Sequence, residues 1–371
     1  MKMEVPLSLP DIGDREREAV LDVLKSRWLS MGPVVTMFEK KIAEYVGVKY
    51  AIAVNSGTSG LHLVVRGLGL GEGDEVITTP FSFVASANCL LFERVRPVFV
   101  DIDPKTFNIN HNLIEQKINQ KTKGILPVHV FGHPADMDKI MAIAMQYGLP
   151  VIEDACEAIG ARYNGKPVGS ESTAAVFAFY PNKQITTGEG GIILTNLKEL
   201  ADLCRSMRNQ GRGEGDGWYD HTRLGYNYRM DEMSAALGCA QLARLTEILD
   251  KRERVAGAYT ERLRHVDGVT VPFVAPGVQM SWFVYVIRLD PGIDRNVVMR
   301  KLNDRGIGCR AYFQPIHLQP FYRKEFGYKP GDFPVTEAVA ATTLALPFHN
   351  NLSEDEIDYV VSSLGEVLCK I

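Results

Sequence analysis

The sequence predicts an α/β fold in two parts. A large domain on a mainly parallel sheet is expected over residues 1–248, and a smaller α+β domain over 249–371. Three observations carry this expectation. The 371 residues suit about two domains of roughly 100–200 residues each. Between Tyr50 and Asn196, short apolar β-rich segments alternate with helical ones. Such alternation describes a sheet covered by helices on both faces, and therefore largely parallel. Beyond the charged stretch Asp250–Arg264 the pattern changes to a strand, a helix, an aromatic loop and further helices.

The elements follow in order. Asp14–Lys25 reads as a helix with Ala19, Val20, Val23 and Leu24 on its buried stripe. Val34–Tyr45 reads as a second, opened by Gly32-Pro33. Strands are expected at Ala51–Val54, Glu75–Thr78, Pro97–Val100, Gly124–Val128, Pro150–Ile152, Ala175–Phe179 and Gly191–Leu194. Ser59–Val65, Ser82–Leu91 and Met137–Gln146 supply helices between them. A long helical region, Asp231–His265, has an Ala-Leu-rich first half and links the two domains. Ser281–Leu289 then reads as a strand and Arg295–Asp304 as a helix, before the aromatic loop Tyr312–Tyr322 and two terminal helices.

Composition excludes several function classes. Apolar residues make up 46% and charged residues 23%, which describes a globular chain. Lys and Arg number 41 against 45 Asp and Glu, so the net charge of −4 lacks the basic signature of a nucleic-acid binder. The longest apolar runs, such as Ala174–Tyr180, are far below the ~18 residues of a membrane span. Met1–Gly13 lacks a signal-peptide apolar region. Six cysteines form no CxxC pair, which disfavours zinc ribbons and suits reduced thiols in a cytoplasmic protein.

Four segments carry chemistry. Lys183, in Phe179-Tyr-Pro-Asn-Lys183, leaves an apolar strand and enters the Gly-rich turn Gly188-Glu-Gly-Gly191. A lysine in an apolar pocket has its ammonium destabilised and its amine made nucleophilic, which suits Schiff-base formation with an aldehyde. Read alone, Lys183 fits a surface hairpin somewhat better. Glu153 and Asp154 end a strand and point to opposite faces. A carboxylate at a strand's carboxyl end can hold a protonated ring nitrogen, or it can cap a helix. Asn55-Ser56-Gly57-Thr58-Ser59 follows a strand and opens a helix, so its free amides and hydroxyls make a phosphate nest or an ordinary N-cap. Phe83 follows another strand and offers either a stacking face or a core side chain. Together the four match one cofactor, pyridoxal 5′-phosphate. Competing motifs fail. No GxxxxGK[ST], HExxH or GxSxG occurs, and Gly132 and Pro134 break the helix that His129 and His133 would need to share a metal.

These segments resemble the DegT/DnrJ/EryC1/StrS family of PLP-dependent nucleotide-sugar aminotransferases. The resemblance extends to Trp28-Leu-Ser-Met-Gly-Pro33, Gly73-Asp-Glu-Val-Ile77, Pro97-Val-Phe-Val-Asp101-Ile-Asp103, Arg223-Leu-Gly-Tyr-Asn227-Tyr-Arg229-Met with Glu232, and Pro315-Ile-His317. It implies the aspartate-aminotransferase type I fold. It implies that Lys183 carries the cofactor and shuttles the proton, and that Asp154 pairs with the pyridine nitrogen. By the same resemblance Phe83 stacks on the ring, and Glu157, one helical turn past Asp154, faces the cofactor. Gly57, Thr58 and Ser59 match the phosphate site. Asn227 matches a residue reaching the phosphate of a neighbouring subunit, which implies a homodimer. Ala178 departs from the pattern, because many relatives carry a phosphate-binding Ser there. The family's dehydratase branch has His in place of Lys183, so transamination is favoured over sugar deoxygenation. Some relatives use glutamine and act on cyclitols, and a PLP-fold sensor without catalysis is a further alternative. The implied substrates are L-glutamate and a nucleotide-linked keto-sugar. The stretch Tyr180–Gly188 is similar to members that aminate sugar C4, including perosamine synthases. Arg229 is a candidate for the diphosphate, and Tyr312 and His317 for donor or sugar. The loop Gly211–Gly217, followed by Trp218 and Tyr219, is a candidate cover for the site.

Overall fold

The computed structural model describes residues 3–213 and 220–370. The chain opens with helices α1 (Asp14–Ser26) and α2 (Pro33–Val46). Then come β1 (Tyr50–Val54), α3 (Gly57–Gly67), β2 (Glu75–Thr78), α4 (Ala85–Leu91), β3 (Arg96–Phe99), β4 (Thr122–Leu126), α5 (Met137–Tyr147) and β5 (Ile152–Asp154). A small hairpin, β6 (Arg162–Tyr163) and β7 (Lys166–Pro167), precedes β8 (Ala174–Ala178), β9 (Gly191–Thr195) and α6 (Lys198–Arg208). Helices α7 (Glu232–Ala243) and α8 (Leu245–Leu263) lead into β10 (Val269–Thr270), β11 (Val278–Gln279), β12 (Tyr285–Leu289) and α9 (Arg295–Asn303). The chain closes with α10 (Pro320–Phe326), α11 (Pro334–Thr342), β13 (Thr343–Leu346) and α12 (Glu354–Leu368).

The large sheet runs β1-β9-β8-β5 on one side and β4-β2-β3 on the other. Parallel bridges Ile125–Val151 and Val128–Asp154 join β5 to β4. The sheet is parallel as expected except at β9, which pairs antiparallel with both β1 and β8. β8 and β9 are buried along almost their whole length, because α2 and α7 cover one face and α3 the other. That double cover is why these strands read as continuous apolar runs. A second sheet, β10-β12-β13, is antiparallel and holds its own core against α8, α9 and α12. α8 belongs to both cores: Leu245 and Ile248 face the large sheet, Val255 and Tyr259 the small one.

The structure corrects several expectations. The helix expected over Asp231–His265 breaks at Arg244 (φ −109°, ψ 7°), whose guanidinium turns to Glu16, Asp11 and Glu247. Leu24 is 48% exposed and Glu16 is buried in its stead, because Glu16 accepts from Gly13, Gln241 and Arg244. The strand expected from Ser281 starts at Tyr285. Trp282 is left-handed (φ +50°) and the flanking amides of Ser281 and Phe283 bond Gly132 and Phe131 instead. Helix α4 begins at Ala85, not Ser82. Strand β13 interrupts what read as a run of terminal helices.

One buried carboxylate fixes the first layer. Glu232, 1% exposed, accepts from the amides of Gly32 (2.9 Å), Val34 (2.8 Å) and Val35 (3.2 Å). It thereby satisfies the first-turn donors of α2 and complements its dipole. A Cβ at Gly32 would stand 2.7 Å from the Glu232 Oε2. Glu232→Ala is therefore expected to cost about 2–4 kcal/mol of unfolding free energy. A denaturant midpoint equal to wild type would contradict this capping role.

Candidate active site

A cavity of about 1380 Å³ opens at the carboxyl ends of β5 and β8, where open α/β sheets gather ligands. Lys183 lies in the loop from β8 to β9. Its amide donates to the Tyr180 carbonyl at 2.9 Å, and Thr187 closes the turn onto Phe179. Its side chain is 12% exposed, with Nζ 3.7 Å from the Glu157 Oε1 and 3.8 Å from the centroid of the Phe283 ring. The lysine is thus interior, which removes the surface-hairpin reading.

Asp154 is the last residue of β5, and its Oδ2 accepts from the Ser86 hydroxyl at 2.6 Å. Ser86 is in turn 2.7 Å from the Ser82 hydroxyl. The Cys156 amide donates to Oδ1 at 3.2 Å. Glu153 points the other way, to His129 Nε2 (2.8 Å) and the Gly169 amide (3.0 Å), as strand alternation requires. His133 is likewise engaged, by Asn108 and the Pro134 carbonyl.

No helix follows Asp154. A turn, closed by the Ala158 amide on the Ala155 carbonyl, brings Glu157 round, which corrects the expected helical turn. The Glu157 Oε2 accepts from the Phe131 amide at 2.8 Å, and Phe131 is held left-handed (φ +58°) as it does so. Burial raises the Glu157 carboxyl above its ordinary range, while the Lys183 charge and the Phe131 amide pull it only partly back. Burial likewise pushes the Cys156 thiol well up.

Helix α3 starts on the opposite wall. The Ser56 hydroxyl caps it, accepting from the Ser59 amide at 3.1 Å. Among the described residues the Gly57 and Thr58 amides meet no acceptor, and both residues face the cavity with Ser56. A Cβ at Gly57 would stand 2.7 Å from Cys156 Sγ and 2.8 Å from the Ala178 Cβ. One at Gly191 would stand 2.6 Å from the Ser56 backbone. The two glycines let the helix start settle directly on the β8–β9 pair. Free amides at a helix start suit a phosphate. Phe83, 61% exposed on the cavity wall, offers a ring face. A phosphate nest, a ring face, a carboxylate and an amine around one cavity fit pyridoxal phosphate.

Other expected residues lie elsewhere. Ser59 does not reach the wall; its hydroxyl is 2.9 Å from that of Ser56. Asn227 is exposed and off the wall, its carbonyl accepting from Asn55. Arg229 donates to Asn209 at 3.0 Å, also off the wall. Tyr312 is on the wall. His317 is not: it is buried against the Phe333 ring with Nε2 3.0 Å from Glu337, which corrects its expected place near a substrate. Glu214–Tyr219, most of the expected covering loop, lie outside the described residues. Sequence reasoning missed Phe283, Ser82 and Ser86. The two serines stand four apart beside a strand end, a signal that could have been read. Phe283 lies a hundred residues beyond Lys183 and had no local signal. Among the described residues Lys183 is the only cationic side chain on the wall, against Asp154, Glu157 and Glu189.

The model of the DegT/DnrJ/EryC1/StrS aminotransferase family matches residues 10–365. The chain is 41% identical to the GDP-perosamine synthase of Caulobacter vibrioides over 98% of each chain. Its structure is similar to that of Helicobacter pylori PseC, an aminotransferase involved in the biosynthesis of pseudoaminic acid, with 30% identity, a TM-score of 0.95 and 100% of each chain covered. It is also similar to S. venezuelae DesV in complex with a ketimine intermediate, with 34% identity, a TM-score of 0.92 and 98% of each chain covered.

The raised Glu157 carboxyl gives stability a signed pH dependence. A carboxyl raised in the fold costs nothing below its unfolded value, and its cost to stability grows as pH climbs from the unfolded to the folded value. Glu157→Gln keeps an acceptor for Phe131 and never ionises. Its melting temperature in the cofactor-free protein is expected to match wild type in acid and to exceed it increasingly toward neutral pH. A difference independent of pH would contradict the shift.

Proposed function

The chain belongs to the DegT/DnrJ/EryC1/StrS aminotransferase family and is a PLP-dependent sugar aminotransferase; from that premise we propose that it moves the amino group of L-glutamate to C4 of an NDP-4-keto-6-deoxyhexose. The observation that carries this reading is the interior amine of Lys183, flanked by Glu157 and facing the cavity that Asp154 also lines. A largely enclosed amine beside a carboxylate can exchange protons there with little access to bulk water.

When bound, pyridoxal phosphate supplies the electron sink that makes the hydrogen beside an attached amine acidic. Lys183 would bind the cofactor's aldehyde carbon, and its Nζ would then carry the proton. Asp154 would hold the ring nitrogen, its Oδ2 being fixed by the Ser86 hydroxyl. Phe83 would cover one ring face. The Gly57 and Thr58 amides and the Ser56 and Thr58 hydroxyls would hold the phosphate, with Ala178 where many relatives have Ser. Glu157 sets a carboxylate oxygen 3.7 Å from the Lys183 Nζ and orients the amine.

C4 is favoured because the Tyr180–Gly188 stretch resembles C4-aminating members, and a 41% identical relative is named GDP-perosamine synthase. The working unit in this reading is a homodimer. Asn227 is exposed, and a wall with three carboxylates and one lysine needs cations from a second copy to meet a diphosphate. Arg229 is the candidate donor. The product would enter amino-sugar and surface-polysaccharide synthesis in the cytoplasm. No helix among the described residues is long and apolar enough to cross a membrane.

The test is product mass after incubation with L-glutamate and a panel of 4-keto-sugar nucleotides. An amine product is expected with wild type and none with Lys183→Ala. Turnover by Lys183→Ala, or a deoxygenated product, would overturn the assignment. Ala178→Ser places a hydroxyl beside the nest at the start of α3. It is expected to slow loss of bound PLP about tenfold, as for a charge-assisted hydrogen bond. An unchanged rate would show that the phosphate sits elsewhere.

A further inference from the structure

We propose that Ser82 and Ser86 are positioning residues for the reaction: a one-way chain of their hydroxyls keeps Asp154 an acceptor and leaves the shared proton on the cofactor's ring nitrogen. The inference rests on the pairing of Asp154 with that nitrogen in the reading above.

Ser86 stands in the first turn of α4, and Ser82 lies just before the helix. Serine near a helix start ordinarily caps it, yet no side chain caps α4. Both serines are buried, Ser86 at 1% exposure and Ser82 at 4%, where an unbonded hydroxyl is costly. Their hydroxyls meet each other at 2.7 Å, and that of Ser86 reaches Asp154 at 2.6 Å. Packing holds α4 in place for this. Ala87 and Cys89 are fully buried, and the Asn88 Oδ1 accepts from the Tyr322 hydroxyl at 2.7 Å. The Ser86 amide donates to the Phe83 carbonyl at 3.2 Å, so one turn carries both the ring cover and the serine pair.

Proton counting fixes the direction of the chain. A hydroxyl has one proton to give. Ser86 gives its proton to the Asp154 Oδ2, so between the two serines Ser82 must be the donor. Ser82 therefore begins the chain and Asp154 ends it. Each bond in such a series polarises the next, which strengthens the donation to the carboxylate. The other oxygen, Oδ1, accepts from the Cys156 amide at 3.2 Å, and an amide N–H can only donate. Both oxygens of Asp154 thus meet donors, and donors favour the ionised form of a carboxylate. A proton shared between Asp154 and a ring nitrogen then stays on the nitrogen, the form in which the ring draws electrons most strongly.

Solid-state nitrogen NMR of the protein, loaded with PLP isotopically labelled at the ring nitrogen, reads where the proton sits. Wild type is expected to show a protonated nitrogen. Ser86→Ala withdraws the donor at Oδ2 and should move the signal toward the unprotonated form. Ser82→Ala leaves that donor in place but weakens it, so a smaller shift in the same direction is expected. It reads the chain even where Ser86→Ala fails to hold PLP. Ser86→Thr retains a hydroxyl and should keep the wild-type signal. In Ser86→Ala the rate at which L-glutamate removes the visible band should fall about tenfold, with the half-saturating L-glutamate concentration within about twofold of wild type. An unmoved signal in either alanine variant, or an unchanged rate in Ser86→Ala, would overturn the chain. So would a Ser86→Thr signal displaced as far as that of Ser86→Ala. A wild-type nitrogen without its proton would instead remove the pairing of Asp154 with the ring, and this inference with it.

Discussion

Lys183 carries its amine into a pocket where it meets a carboxylate at 3.7 Å and an aromatic ring at 3.8 Å, and much of the surrounding structure serves that placement. A buried charge is tolerated only when its partners are fixed and their own hydrogen-bonding capacity is met. Glu157 is met by the Phe131 amide, and Asp154 by Ser86 and the Cys156 amide. Each partner comes from a different element. Parallel pairing of β5 with β8 sets their ends side by side, so a strand-end carboxylate and the lysine loop open into one cavity. The antiparallel return through β9 closes that loop and presents Gly191 to the start of α3.

Distant segments complete the pocket by the same logic. Phe283 lies beneath the Lys183 amine because its backbone is held on both sides: its amide donates to Phe131 and its carbonyl accepts from Arg252. Arg252 is 3% exposed and also binds the Trp282 carbonyl and Asn350. Its fork meets neutral oxygens, which makes it a clamp between α8 and the segment before β12. The left-handed residues Phe131 and Trp282 sit where these segments exchange hydrogen bonds. Conformations of that kind persist where surrounding contacts over-determine them.

Much of this was legible in the sequence, for a physical reason. Strands buried on both faces must be apolar throughout, so β1, β2, β8 and β9 stand out as apolar runs, and strand ends in such sheets are where chemistry collects. Lys183, Asp154, Gly57 and Phe83 are therefore readable as a set from the order of residues alone. What escaped depended on long-range contact. The break at Arg244 follows from ion pairs with Asp11 and Glu16, over two hundred residues away. The late start of β12 follows from bonds to residues 131–132. His317 sits in a matching motif, yet its side chain serves Glu337 and an aromatic cluster. A motif fixes residue type, and only packing decides which way the side chain faces.

Lys183 and its carboxylates, on this reading, hold PLP in a form that accepts an amino group from L-glutamate. The visible absorption of the PLP-loaded protein, taken before and after L-glutamate, reads that step without needing the sugar substrate. Loss of the Lys183-bound cofactor's visible band, with release of 2-oxoglutarate, is the predicted result. A band that persists unchanged in excess L-glutamate would contradict it.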